Sequence, residues 1–300
     1  MSKKKKPKTA EQKAEQQALN VVADLRSRGL KMSNGSSRNY TTALKALALH
    51  MNQVHELPLR KATPKHVSEF LTDRAVEVGQ SSLNMSRQAA ERMLHYTKSL
   101  PADEKLEIVV TEKQEVLESR AYTQEQVAEI AHGQSYRHAL ATRIAEDTGV
   151  RSHELLTLRR MDEAKADERP VSEDKFVGRE DFVPYIVKGK GGLSREIRMH
   201  PALSQELESN RLEKPVRVMD RGIEYTQKYD IGGGKNWSDS FSRASKSRLG
   251  WSTGGHGLRH SYAQARMEQL TSTVEYNRAL EAVSQEMGHF RPEITKVYLR

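Results

Sequence analysis

The run GGHGLRHSYA, residues 254–263, places two imidazoles and a guanidinium within five residues, directly after a glycine pair. Residues three apart on a helix share a face, so His256 and Arg259 project the same way. Arg offers a planar fork that suits phosphate oxygens, and His exchanges a proton near neutral pH. His256 and His260, four apart, also have the spacing of a metal pair. The Glu of an H-E-x-x-H site is missing, however, and no carboxylate ligand suggests itself, so zinc is the weaker reading.

Outward from this run, three more stretches matter. Upstream, TGVRSHELLTLRR (148–160) has Gly149 to end one helix, Ser152 to cap the next, Glu154 suited to its first turn and Leu155, Leu156 and Leu158 to bury it. Arg151 sits at that junction, where its side chain can leave the packed surface. Next, IVKGKGGLSREIRM (186–199) is the second half of a β-hairpin pattern over about 182–199. β-formers precede a glycine-rich turn, then polar and apolar residues alternate. Lys188 and Lys190 on that turn can present an ammonium to a phosphate or a leaving oxygen. Downstream, MGHFRPEITKVYLR (287–300) puts His289 at the end of one helix and Tyr298 on another, with Pro292 between them. Taken singly, each stretch is ordinary; a Tyr beside Ile294, Val297 and Leu299 is usually a core residue.

Three hundred residues are comfortable for two domains. No cysteine is present, which excludes disulfides, thiolate catalysis and Cys-ligated metal and fits a reducing cytosol. No apolar run approaches the length of a membrane span, and the basic start lacks the apolar stretch of a signal peptide. A net charge of +9 favours a polyanionic partner, nucleic acid above all.

Residues 1–16 are lysine-rich with almost nothing to bury, and read as a disordered basic tail. Residues 17–105 read as a small helical domain. Tyr40, Leu44, Leu47 and Met51 share a face, and Thr63-Pro64 starts a helix carrying Val67, Phe70, Leu71 and Val78. Leu83, Ala90 and Leu94 stripe another helix within 81–98. Residues 106–121 read as a linker, with 122–300 a second domain that opens on the capping box Thr123–Gln126. Residues 161–180 read as an acidic, exposed loop, and helices resume after Asn236. The expected class is mainly α with a small antiparallel β-sheet, that is α+β.

The ordered set Arg151, Lys190, His256-x-x-Arg259, His289 and Tyr298, within the four stretches quoted, resembles the catalytic signature of the tyrosine recombinases (phage integrases). The resemblance is strong over 122–300, while 17–105 looks like that family's helical, SAM-like core-binding domain by pattern only. It implies a two-domain DNA clamp and a site-specific recombinase that cleaves and rejoins DNA through a 3′-phosphotyrosyl link. In that reading Tyr298 is the nucleophile and Arg151 and Arg259 hold the non-bridging oxygens. His289 adds a hydrogen bond, and His256 assists the tyrosine's proton transfer. Lys190 protonates the leaving 5′ oxygen, with Lys188 as alternative. A phenol ionising near pH ~10 needs such help. The link conserves the energy of the broken bond, so the reaction is metal- and ATP-independent, with no cofactor.

The implied partners are double-stranded DNA, a homotetramer on two DNA sites and accessory DNA-bending proteins, with no membrane. The implied setting is cytoplasmic and nucleoid-associated, in a prokaryote, phage or other mobile element. The chain ends two residues after Tyr298, where many relatives continue with a segment that docks on the next protomer. Either the sequence is truncated there or its assembly uses other contacts. Rival readings are a type IB topoisomerase, a telomere resolvase, or an inactive DNA-binding regulator. The last leaves the Arg–Lys–His–Arg–His–Tyr series unexplained.

Overall fold

The computed structural model describes residues 8–114 and 118–300, the side chain of Lys190 excepted. The chain divides into two compact units, residues 1–116 and 117–300.

In the first unit, helix α1 (Ala10–Ser27) begins well inside the stretch expected to be a disordered tail. Thr9 and Gln12 form a capping box, and Ala14 and Ala18 are buried below Val21, Val22 and Leu25. Alanines spaced four apart extend the apolar stripe while barely registering in a lysine-rich run. Residues 1–7 lie outside the described residues. Helix α2 (Asn34–Val54) buries Leu44, Leu47 and Met51, and α3 (Pro64–Ala75) starts at the Thr63 cap and buries Val67, Phe70 and Leu71. Helix α4 (Gln80–Thr97) buries Leu83, Ala90 and Leu94. Together they enclose one apolar core. Residues 106–113, read as part of a linker, lie along this unit. Leu106 joins the core, its N–H donating to Glu91 at 3.1 Å, and the Thr111 hydroxyl donates to the Val78 carbonyl at 2.7 Å.

In the second unit, α5 (Gln124–His132) and α6 (Tyr136–Thr148) pack with α8 (Gly234–Leu249) around Ile130, Leu140, Ile144, Trp237 and Phe241. Complete burial of such side chains contributes about 1.5–3 kcal/mol each. A three-stranded antiparallel sheet, β1 (Arg159–Arg160), β2 (Val183–Lys188) and β3 (Ser194–Met199), covers this core. The β2–β3 register runs from Val183↔Met199 to Lys188↔Ser194. After α7 (Pro201–Ser209) a second, two-stranded ribbon, β4 (Arg211–Asp220) with β5 (Ile223–Tyr229), was not expected. Most of β4 is exposed, so it lacks the alternation that betrays a strand. Helices α9 (Gly257–Thr271) and α10 (Tyr276–Glu286) and the short α11 (Pro292–Lys296) build a smaller core from Leu270, Leu280, Val283 and Met287. The protein is thus mainly α with small antiparallel sheets. Among the described residues, no helix is long and apolar enough to cross a membrane.

Candidate active site

Helix α6 stops at Gly149, which adopts φ +62 and lies against Tyr262; a Cβ there would sit 2.6 Å from that ring. The following residues form a 3-10 turn, Glu154–Thr157, with no side-chain cap, so Ser152 does not play the part expected of it. Glu154 does stand in the first turn, as expected. It is fully buried, accepting from the Arg151 N–H at 2.8 Å, from Arg151 Nη1 at 2.8 Å and from Arg195 Nη2 at 2.8 Å. Burial pushes its carboxyl up, but the guanidiniums of Arg195, Arg151 and Arg259 outweigh this and hold it well below the usual range.

Arg195 was missed by the sequence reading, which took SREIRM as an alternating strand without asking which residues face inward. On β3 it shares the buried face with Ile197 and Met199. That i, i+2, i+4 placement is the signal that was available. Its Nη1 donates to the Glu286 carbonyl at 2.6 Å.

His256 stands at the N-terminal edge of α9 and Arg259 inside its first turn, so they face one region as their spacing predicts. Arg259 is almost wholly buried. It donates to the Gly149 carbonyl through Nη1 and to the Met287 carbonyl at 3.1 Å through Nη2, which also lies 2.9 Å from His289 Nε2. Its Nε–H has no partner among the described residues. Burial, with Arg151 nearby, lowers its pKa to about 10, so it stays charged at neutral pH.

Because a guanidinium only donates, His289 Nε2 must accept, which leaves its ring proton on Nδ1 facing Thr295 Oγ1 at 3.1 Å. Thr295 is fully buried, and its hydroxyl can accept or donate. Burial, then Arg259, Arg151 and Arg195, lower the His289 pKa to about 3. Helix α10 ends before His289, and Tyr298 sits in a 3-10 turn, Val297–Leu299, just after α11. Its Oη is 3.1 Å from His256 Nε2. Rings of His256, His260 and His289 lie 5.4, 4.7 and 5.0 Å from the Tyr298 ring. Burial, then Arg259, lower the His256 pKa to about 4, so this imidazole is a neutral potential proton acceptor. His260, one turn beyond His256, was weighed in the sequence only as a metal partner. Its Nδ1 is buried without a hydrogen-bond partner among the described residues.

The structure therefore brings Arg151, His256, Arg259, His289 and Tyr298 to one region and adds Glu154, Arg195, Thr295 and His260. The tip of the β2–β3 hairpin closes on it. A Cβ at Gly189 would lie 2.9 Å from Glu154 Oε1 and 3.8 Å from Arg151 Nη1. The Lys190 side chain lies outside the described residues, and that of Lys188 is exposed. A separate cavity of about 760 Å³ is lined by Glu146, Asp147, Glu268, Arg179, Tyr122 and Tyr262. Its carboxylates make it a poor home for a phosphate.

The loop 161–180 is not simply exposed. Phe176 is buried, its N–H donating to Glu286 at 2.9 Å, and buried Asp174 accepts from Arg278 at 2.8 and 2.9 Å.

No family model matches the chain, and no curated protein matches its sequence. Solved structures do match. A lambda integrase tetramer bound to a Holliday junction aligns at TM-score 0.60 and 18% identity, covering 94% of this chain and 76% of that one. The XerH site-specific recombinase on palindromic difH, a post-cleavage complex, aligns at 0.58 and 16%, covering 98% and 94%. The Tn1549 transposon integrase with transposon right-end DNA aligns at 0.53 and 13%, covering 94% of each chain. At these identities the likeness is one of fold: this chain has the tyrosine-recombinase fold.

Proposed function

We propose that a chain with this fold and this cluster is a site-specific DNA recombinase that breaks and rejoins DNA through a 3′-phosphotyrosyl bond to Tyr298. One observation carries the reading. The Tyr298 hydroxyl contacts a neutral imidazole inside a pocket with more guanidiniums than carboxylates. A phosphodiester is an anion whose transition state spreads further charge onto its oxygens, and fixed cationic donors lower that barrier.

Arg151 and Arg259 hold the non-bridging oxygens. His256 accepts the phenolic proton as Tyr298 Oη bonds to phosphorus. The P–O5′ bond breaks, and the 5′ oxygen takes a proton from a lysine on the hairpin tip, Lys190 or Lys188. Rejoining runs the same steps backward, the 5′ hydroxyl displacing the tyrosine, so no external energy source is consumed. To donate to a phosphate oxygen, His289 must move its proton to Nε2. The Thr295 hydroxyl supports either tautomer by turning from acceptor to donor.

In this reading the first unit, from α1 through the segment 106–113, is the core-binding half of a DNA clamp, joined to the catalytic half, the second unit. Assembly in this reading is a homotetramer on two double-stranded DNA sites; the lambda integrase of similar fold forms a tetramer bound to a Holliday junction. The test is incubation, in EDTA, with a library of nicked suicide duplexes with randomised core sequence. A covalent protein–DNA band that vanishes in Tyr298→Phe is expected; a band that persists in that variant overturns the nucleophile. Relaxation of plasmids lacking any selected site points instead to a topoisomerase.

A further inference from the structure

We infer that the first unit carries a divalent-metal site, suited to Zn²⁺, built from His50, His55 and Glu69. One ligand atom from each of these side chains lies within 4.8 Å of the other two. His50 is on the last turns of α2, His55 is the residue that ends it, and Glu69 is on α3. His55 Nε2 is 3.5 Å from Glu69 Oε2, and the two imidazole rings lie 5.5 Å apart.

The second observation concerns burial and hydrogen bonding. Both Nε2 atoms, of His50 and of His55, are sealed from water and make no hydrogen bond among the described residues, that of His55 having only the Glu69 carboxylate at 3.5 Å beside it. Two orphaned ring nitrogens beside one carboxylate are costly as they stand, and such groups call for an explanation. A cation shared by the two lone pairs supplies it.

The surroundings favour the same answer. Asp73, one turn beyond Glu69, has Oδ2 3.7 Å from His50 Nδ1. A carboxylate on that nitrogen holds its proton and leaves Nε2 as donor, the support that zinc-bound histidines commonly have. Phe70, with its ring 5.5 Å from that of His50, gives the pocket an apolar wall. His66, its ring 4.4 Å from that of His55, uses Nδ1 to accept from the Thr63 N–H at 3.2 Å. Two imidazoles and a carboxylate suit Zn²⁺ rather than Ca²⁺ or Mg²⁺, which prefer oxygen donors, and water completes a tetrahedron. Zinc bonds of 2.0–2.1 Å place donors about 3.4 Å apart, so separations of up to 4.8 Å must contract by up to about 1.4 Å. Glu69, already 3.5 Å from His55 and with 41% of its side chain exposed, can adjust as His50 closes on the ion. The bound ion ties the end of α2 to α3. It plays no part in the chemistry at Tyr298.

The test uses the full chain, stripped with a chelator and dialysed. Titration with Co²⁺ should give one equivalent bound, with the visible absorption of a four-coordinate ion, displaced by Zn²⁺; Zn²⁺ should also raise the melting temperature. His55→Gln and Glu69→Gln should each weaken Co²⁺ binding at least about tenfold. Absence of a Co²⁺ spectrum in the parent chain overturns the site. So does unchanged affinity in His55→Gln, which would put the ion elsewhere, for example on His256 and His260. Should His55→Gln fail to fold, Glu69→Gln decides alone: its carboxylate is partly exposed, and unchanged affinity there refutes the triad.

Discussion

Among the buried carboxylates of the second unit, Glu286 and Glu154 keep different company. Glu286 accepts from Arg266 Nε at 2.9 Å and Nη2 at 2.8 Å, from the Tyr262 hydroxyl at 2.7 Å and from the Phe176 N–H at 2.9 Å. One anion meets one cation, and the arrangement is closed. Glu154 meets Arg151 and Arg195 directly and feels Arg259 as well. One anion faces three cations, of which Arg151 alone keeps a partly exposed side chain while Arg195 and Arg259 are buried. Arg195 links the two centres, donating to the Glu154 carboxylate and to the Glu286 carbonyl. A balanced buried pair fastens a fold, whereas an overcharged one spends stability to await an anion.

The contrast is broken most easily through stability. Glu286→Gln leaves Arg266 buried without its counter-charge and should cost about 3–5 kcal/mol in urea unfolding. Glu154→Gln should cost a comparable amount in plain buffer, yet regain much of it with duplex DNA, whose phosphate takes over the missing charge. Equal rescue of both variants, or of neither, would erase the distinction.

Next in size is Arg259→Ala. Loss of one donor aimed at the phosphate should slow cleavage about 10²–10³-fold while DNA affinity changes little, since most affinity comes from contacts along the backbone. A single-turnover assay beside a binding titration separates the two, and equal losses would make Arg259 a binding residue.

Burial, reinforced by the surplus charge, also sets pH behaviour. His256, lowered to about 4 and His289, lowered to about 3, are neutral in the folded protein at neutral pH. An unfolded His takes up a proton near pH ~6.5, so these residues cost stability as pH falls from there toward 4. The melting temperature of the second unit should drop over that window. Cleavage should show no acid limb near pH ~6.5, failing only as pH approaches about 4; an apparent pKa near ~6.5 would mean that His256 is not the acceptor.

The smallest expected effect is at Thr295. Thr295→Val removes the hydroxyl that follows the His289 proton, and should slow cleavage about tenfold, roughly the worth of one buried hydrogen bond. Thr295→Ser should restore it, and a silent Thr295→Val would remove the tautomer argument.

Much of this was legible in the sequence because the chemistry-bearing residues sit where the chain announces itself. Arg151 follows the glycine that ends α6, His256 and Arg259 open α9, and Pro292 marks the break before Tyr298. The glycine-rich turn gave away the β2–β3 hairpin. The supporting charges were hidden for the opposite reason. Arg195, Glu154 and Glu286 lie on inward faces, where a polar residue is ordinarily assigned to solvent, and only their partners, distant in sequence, explain them. The start of α1 was obscured by lysines, and the β4–β5 ribbon by its exposure. The His50, His55 and Glu69 triad spans two helices whose approach no local spacing encodes.

The claim that the surplus cations serve a phosphate attacked by Tyr298 is tested most directly by digesting the trapped covalent complex and locating the nucleotide by mass spectrometry. The expected product is a C-terminal peptide with a 3′-phosphate ester on Tyr298. An adduct on any other residue, Tyr262 included, would contradict the account.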